Sequence, residues 1–146
     1  MVEAALFGSG RPILLVPNNH TAPAQLGTVL IAWDESATAA RAVADALPLI
    51  EMADRVELVT VAEPRSEGPS ATRMVEHLRH HGIEVRAVSL PAGGRIAEVL
   101  LAHAADQSAD LLVMGGYGHS RLREIILGGT TRTMLASMTV PTLIAH

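Results

Sequence analysis

From about residue 27 onward, short apolar runs rich in β-branched residues alternate with longer stretches whose apolar positions recur at helical spacing. Gly27 to Trp33 (GTVLIAW) is almost wholly apolar, as expected of a strand buried on both faces. Ser36 then offers an N-cap to an Ala-rich helix reaching about Met52, with Pro48 bending it or marking its last turn. Arg55 to Ala62 reads as a second strand. Glu63 to Ser70 holds two Pro, a Gly and two Ser and reads as a loop. Residues 71 to 81 place Met74, Val75 and Leu78 on one helical face, and Gly82 supplies the stop. Ile83 to Leu90 reads as a third strand, Pro91 to Gly94 as a turn, and about Arg95 to Gln107 as a helix. Asp110 to Met114 is the expected fourth strand and Pro141 to Ala145 the fifth, with helical residues ahead of it. Such alternation implies right-handed βαβ crossovers and a parallel sheet with helices on both faces. The pattern leaves the strand order open.

The first 26 residues follow a different rhythm. Met1 to Pro17 opens on a helix-like piece, breaks at Gly8-Ser-Gly10, and continues into a Pro-led apolar strand over residues 12–16. The end of the chain has the same shape. Placing Pro12 on Pro141 also sets Leu6 on Leu135, Gly8 on Ser137 and Leu14 on Leu143. Residues 1–26 therefore read as the remnant of a preceding repeat plus a linker (Asn18 to Leu26), and residues 27–146 as one domain. The alternative is an N-terminal arm whose strand matches by chance.

Composition narrows the chemistry. Of the 146 residues, 49% are hydrophobic, yet there is one Trp, one Tyr and one Phe, so the core must be aliphatic. There is no Cys, which removes disulfides, thiolate nucleophiles and cysteine-ligated metals. All eleven basic residues are Arg, so a phosphate loop that depends on Lys is excluded, as is Schiff-base chemistry. The net charge of −4 with scattered Arg argues against nucleic acid as a partner. No apolar stretch approaches the roughly 18 residues of a membrane span, and no cationic leader precedes an apolar one. The expected location is the cytoplasm.

The most informative segment runs from Leu111 to Arg132. An apolar strand enters Gly115-x-x-Gly118, and nine residues later Gly128-Gly129 precedes Thr130, Thr131 and further helical residues. Glycines allow close approach to backbone N–H groups, and a helix N-terminus adds partial positive charge. Together they make an anion site that needs no Lys.

At these residues the chain resembles the universal stress protein family, whose nucleotide motif is Gly, two residues, Gly, nine residues, Gly, then Ser or Thr. Gly115, Gly118 and Gly128 match it in type and spacing, and Asp34-Glu-Ser36 after the first strand matches the family's Asp-x-Ser. The likeness covers residues 27–146. It implies a Rossmann-like fold of the adenine-nucleotide alpha hydrolase type, a five-stranded parallel sheet of order 3-2-1-4-5, here with an extra N-terminal strand. It also implies a ligand, ATP or another adenine nucleotide, with or without Mg2+. By that resemblance Asp34 would sit by adenine and ribose, Ala32 would line the base pocket, and Val61 or Ala62 would close it. Met114 and Gly115 would flank the ribose, and Gly118 and Gly128 would cradle phosphates, with His119 at that end in an open role. One position departs: Gly129 stands where the family has Ser or Thr, so Thr130 would have to supply the hydroxyl. Losing one hydrogen bond of roughly 0.5–1.5 kcal/mol weakens binding up to about tenfold.

Other groups carry less. Trp33 fits either under the adenine or in the core. Ser36 reads as an N-cap rather than a nucleophile, and no G-x-S-x-G elbow accompanies it. His77 and His81 share a helical face without an acidic third ligand, as an exposed polar face would. The family's dimers suggest that residues 12–16 pair antiparallel with 141–145, within one chain or across a homodimer. The expected function is a nucleotide-binding stress-response module, regulatory rather than strongly catalytic. The alternatives are an assembly module of the same fold that binds no nucleotide, and a slow ATP hydrolase.

Overall fold

The computed structural model describes residues 2–22, 25–62, 69–116 and 137–146. Its elements are α1 (Val2–Ser9), β1 (Ile13–Leu15), β2 (Thr28–Ala32), α2 (Ala37–Ile50), β3 (Arg55–Ala62), α3 (Pro69–His80), β4 (Val85–Pro91), α4 (Ile96–Asp106), β5 (Leu111–Gly115) and β6 (Thr142–Ala145). The strands form one sheet in the order β1-β6-β5-β2-β3-β4. From β6 to β4 all pairs are parallel, and this five-strand order is the one the family resemblance implies. β1 adds an antiparallel sixth strand on the β6 edge.

The apolar runs form strands because both faces of the sheet are covered. In β2, Val29 and Ile31 face a core made with Ala39, Ala42, Val43 and Ala46 of α2 and Val75 and Leu78 of α3. Leu30 and Ala32 face the opposite side, where Ala97, Leu100 and Ala104 of α4 pack. Alternation along a strand thus feeds two separate cores, which is why almost every position must be apolar. The Ala-rich face of α2 lets that helix lie close on the strands.

Several boundaries differ from the sequence expectation. α3 begins at Pro69, so Pro69 and Ser70 are helical rather than part of the loop. Proline is well suited to a first helical turn, where its missing N–H would have no partner anyway. β4 starts at Val85, two residues late, and runs through Pro91, which is tolerated because β4 is an edge strand. Ile83, expected in that strand, is instead buried in the turn where Gly82 takes φ +77° and ends α3. Pro48 sits inside the last turn of α2, where the helix tolerates it; Glu51 N donates to Leu47 O just beyond. Trp33 belongs to the α2/α3 core, 8% exposed, with Nε1 donating to Ser70 Oγ at 3.3 Å. Core burial, not a place beneath a base, accounts for it.

Candidate functional site

β2 and β5 lie side by side, with Ala32 in register with Met114 and Ile31 with Val113. The chain leaves β2 toward β3 on one flank, while β6 lies on the far flank of β5. Their carboxyl ends therefore border a topological switch point, the place where open α/β sheets leave a crevice.

The turn after β2 is built by three side chains in sequence. Asp34 Oδ1 accepts from Ser36 N at 3.0 Å and from Ser36 Oγ at 2.5 Å, an Asx-type turn. Ser36 Oγ in turn accepts from Ala39 N at 3.0 Å and caps α2, as its sequence position predicts. Thr38 Oγ1 lies 3.0 Å from Ser36 Oγ and completes the cluster. Between Asp34 and Ser36, Glu35 is held at φ +66°, a left-handed conformation that costs energy for a residue with a Cβ. The turn is thus closely determined, and it sets the Asp34 carboxylate beside the start of α2.

Gly115 ends β5 directly against that start. A Cβ on Gly115 would lie 2.5 Å from Ala39 N, 2.6 Å from Thr38 C and 2.7 Å from Thr38 Oγ1. Two of those three atoms are backbone and cannot yield. The glycine is therefore required by the approach of α2. Beyond it, Gly116 N donates to Ala145 O at 2.7 Å and ties the end of β5 to β6.

The remaining predicted residues divide into three groups. Ala32 and Met114 are buried in the α4-side core, and Val61 packs half-buried against the same cluster. Ala62 closes β3 in register with Pro91. Gly118, His119, Gly128, Gly129 and Thr130 lie outside the described residues. The structure brings together Asp34, Ser36 and Gly115, and joins to them Thr38, which the sequence reading passed over. Its signal was a hydroxyl in the first turn of a helix that must pass a glycine.

A second polar group also escaped that reading. Glu57, in the middle of β3, is 1% exposed, and its Oε2 lies 2.9 Å from His103 Nε2 on α4. A single acidic residue in the middle of a mostly apolar strand was the available clue. The pair satisfies a carboxylate in a core that would otherwise penalise it. His77 and His81 are exposed and meet edge to face, with ring centroids 5.0 Å apart. Among the described residues no three His, Asp or Glu side chains converge as a metal site, and no helix is long and apolar enough to cross a membrane.

Comparison with known proteins matches residues 26–146 to the Universal stress protein family. Over 50 residues the chain is 38% identical to universal stress protein Slr1230 of Synechocystis sp., a stretch covering 34% of this chain and 17% of that protein. Among solved structures it is similar to a universal stress protein from Archaeoglobus fulgidus DSM 4304, with TM-score 0.72 and 23% identity over 92% of this chain and 49% of that one. The chain thus spans about half the length of the Archaeoglobus protein. It is also similar to a universal stress protein in complex with cAMP, with TM-score 0.57 and 21% identity over 82% of this chain and 97% of that one. At these identities the structural likenesses establish the fold.

Proposed function

The chain belongs to the universal stress protein family, and on that premise we propose that it is an adenine-nucleotide-binding stress-response module, regulatory rather than strongly catalytic. The observation that carries this reading is the meeting of the Asp34 turn and the Gly115 end of β5 on adjacent strands at the switch point. Support comes from the three-glycine spacing of Gly115, Gly118 and Gly128 in the sequence, and from the relative of this fold that holds cAMP.

In this reading the Asp34 carboxylate accepts hydrogen bonds from sugar hydroxyls, and Ser36 fixes its rotamer so that little entropy is lost on binding. Backbone N–H groups of the segment from Gly115 to Gly129 take the phosphates, and Mg2+ accompanies a di- or triphosphate. The role in this reading is binding and signalling rather than fast catalysis. The departure at Gly129 favours a second reading, an assembly module of the same fold without nucleotide. The two separate in a thermal-unfolding series. Under the first, ATP raises Tm of the parent by mass action, and Gly118→Val loses the rise because a β-branched side chain blocks backbone approach. A parent whose Tm is indifferent to millimolar ATP speaks for the second.

A further inference from the structure

Three arginines gather at the end of the sheet opposite the crevice. Arg55 opens β3, Arg86 is the second residue of β4, and Arg79 lies in the last turn of α3. Together with Asp54 and Glu84 they line a cleft of about 350 Å³, and the buried Val56 and Val85 form its apolar part. Asp34 and Gly115 stand at the carboxyl ends of the strands, the length of a strand away, roughly 25 Å for the eight residues of β3. The two sites share no residue.

These cations keep most of their hydrogen-bonding capacity. Arg55 Nη2 donates to Gln107 O at 3.0 Å and to Gln107 Oε1 at 3.3 Å, which ties the guanidinium to the C-cap of α4. Among the described residues the side chains of Arg79 and Arg86 make no hydrogen bond and no ion pair, although Asp54 and Glu84 line the same cleft. A cation in the last turn of α3 suits the helix dipole, and a charge on the edge strand β4 discourages strand addition. Each of these accounts explains one arginine. Neither explains three lining one cleft in a chain whose net charge is −4.

Guanidinium forks pair with phosphate oxygens in bidentate fashion, and the volume is at the small end of ligand clefts. The two carboxylates can accept from hydroxyl groups, and they repel a run of several phosphates. We propose that this cleft binds a phosphate monoester bearing hydroxyl groups, a sugar phosphate by class. Its phosphate pairs with Arg79 and Arg86, and its hydroxyls turn to Asp54 and Glu84. The proposal is independent of nucleotide binding in the crevice.

Backbone amide shifts of the full chain, titrated with ribose 5-phosphate at low ionic strength, test it. Saturable shifts are expected at residues 54–56 and 84–86, absent with ribose and weaker with ATP. Arg79→Gln/Arg86→Gln is expected to lower the affinity read at those residues by about tenfold or more. Both side chains are exposed, so the remainder of the spectrum should be unchanged; if it is not, Arg86→Gln alone takes the place of the pair. Shifts that fail to saturate at millimolar sugar phosphate, or that survive the substitutions, overturn the proposal. So do shifts confined to the surroundings of Asp34 and Gly115, or tighter binding of ATP at residues 54–56 and 84–86.

Discussion

Gly115 shows how one residue can serve two demands that sequence alone cannot separate. As a motif glycine it opens the three-glycine spacing that the proposed function rests on. As a packing residue it gives α2 room, because a Cβ there would sit 2.5 Å from Ala39 N. Gly115→Ala therefore costs stability even without ligand, by about 1–3 kcal/mol if the clash is relieved by backbone shifts of the usual size. Urea unfolding of the ligand-free protein measures it, and a change below about 0.5 kcal/mol would show that α2 moves aside freely. The close approach is tertiary, so spacing pointed to the glycine and could not supply this reason for it. Trp33 gives the converse case. Its sequence position allowed a place beneath a base or in the core, and its burial beside Ser70 decides for the core.

At the scale of elements, the α2 start joins fold to site. Ser36 caps the helix and at the same time locks Asp34. Replacing it with Ala removes both functions: the cap is worth about 1 kcal/mol of stability, and Asp34 gains rotamer freedom. Ser36→Ala should lower the unfolding free energy by about that amount and also weaken nucleotide binding, as read by urea titration and calorimetry on one preparation. A loss of stability with unchanged affinity would confine Ser36 to capping. The strands and helices themselves were legible because two-sided burial makes β2 and β5 continuous apolar runs and β3 nearly so. The ends were less so. Pro69 looks like a loop residue until it occupies the first turn of α3, and Ile83 looks like strand while it closes a turn. Glu57 escaped notice because its partner, His103, is 46 residues away on α4.

For the whole molecule, the family order of five parallel strands sets the Asp34 turn beside the end of β5, and the added β1 closes the far edge. Both features follow from local pattern plus one long-range fact, the strand order, which periodicity cannot provide and the family resemblance did. Of the candidate residues named from sequence, Asp34 and Gly115 lie at the ends of adjacent strands, linked through Ser36, expected only as a cap, and Thr38, which the sequence did not single out. The central claim is that this crevice takes an adenine nucleotide. Isothermal titration of the full chain with ATP, ADP, AMP and cAMP tests it most directly. Saturable heat is predicted for at least one of them, with Asp34→Ala weakening it by about tenfold or more, the loss of a hydrogen bond to a charged group. Absence of saturable heat for all four at millimolar concentration would contradict the account.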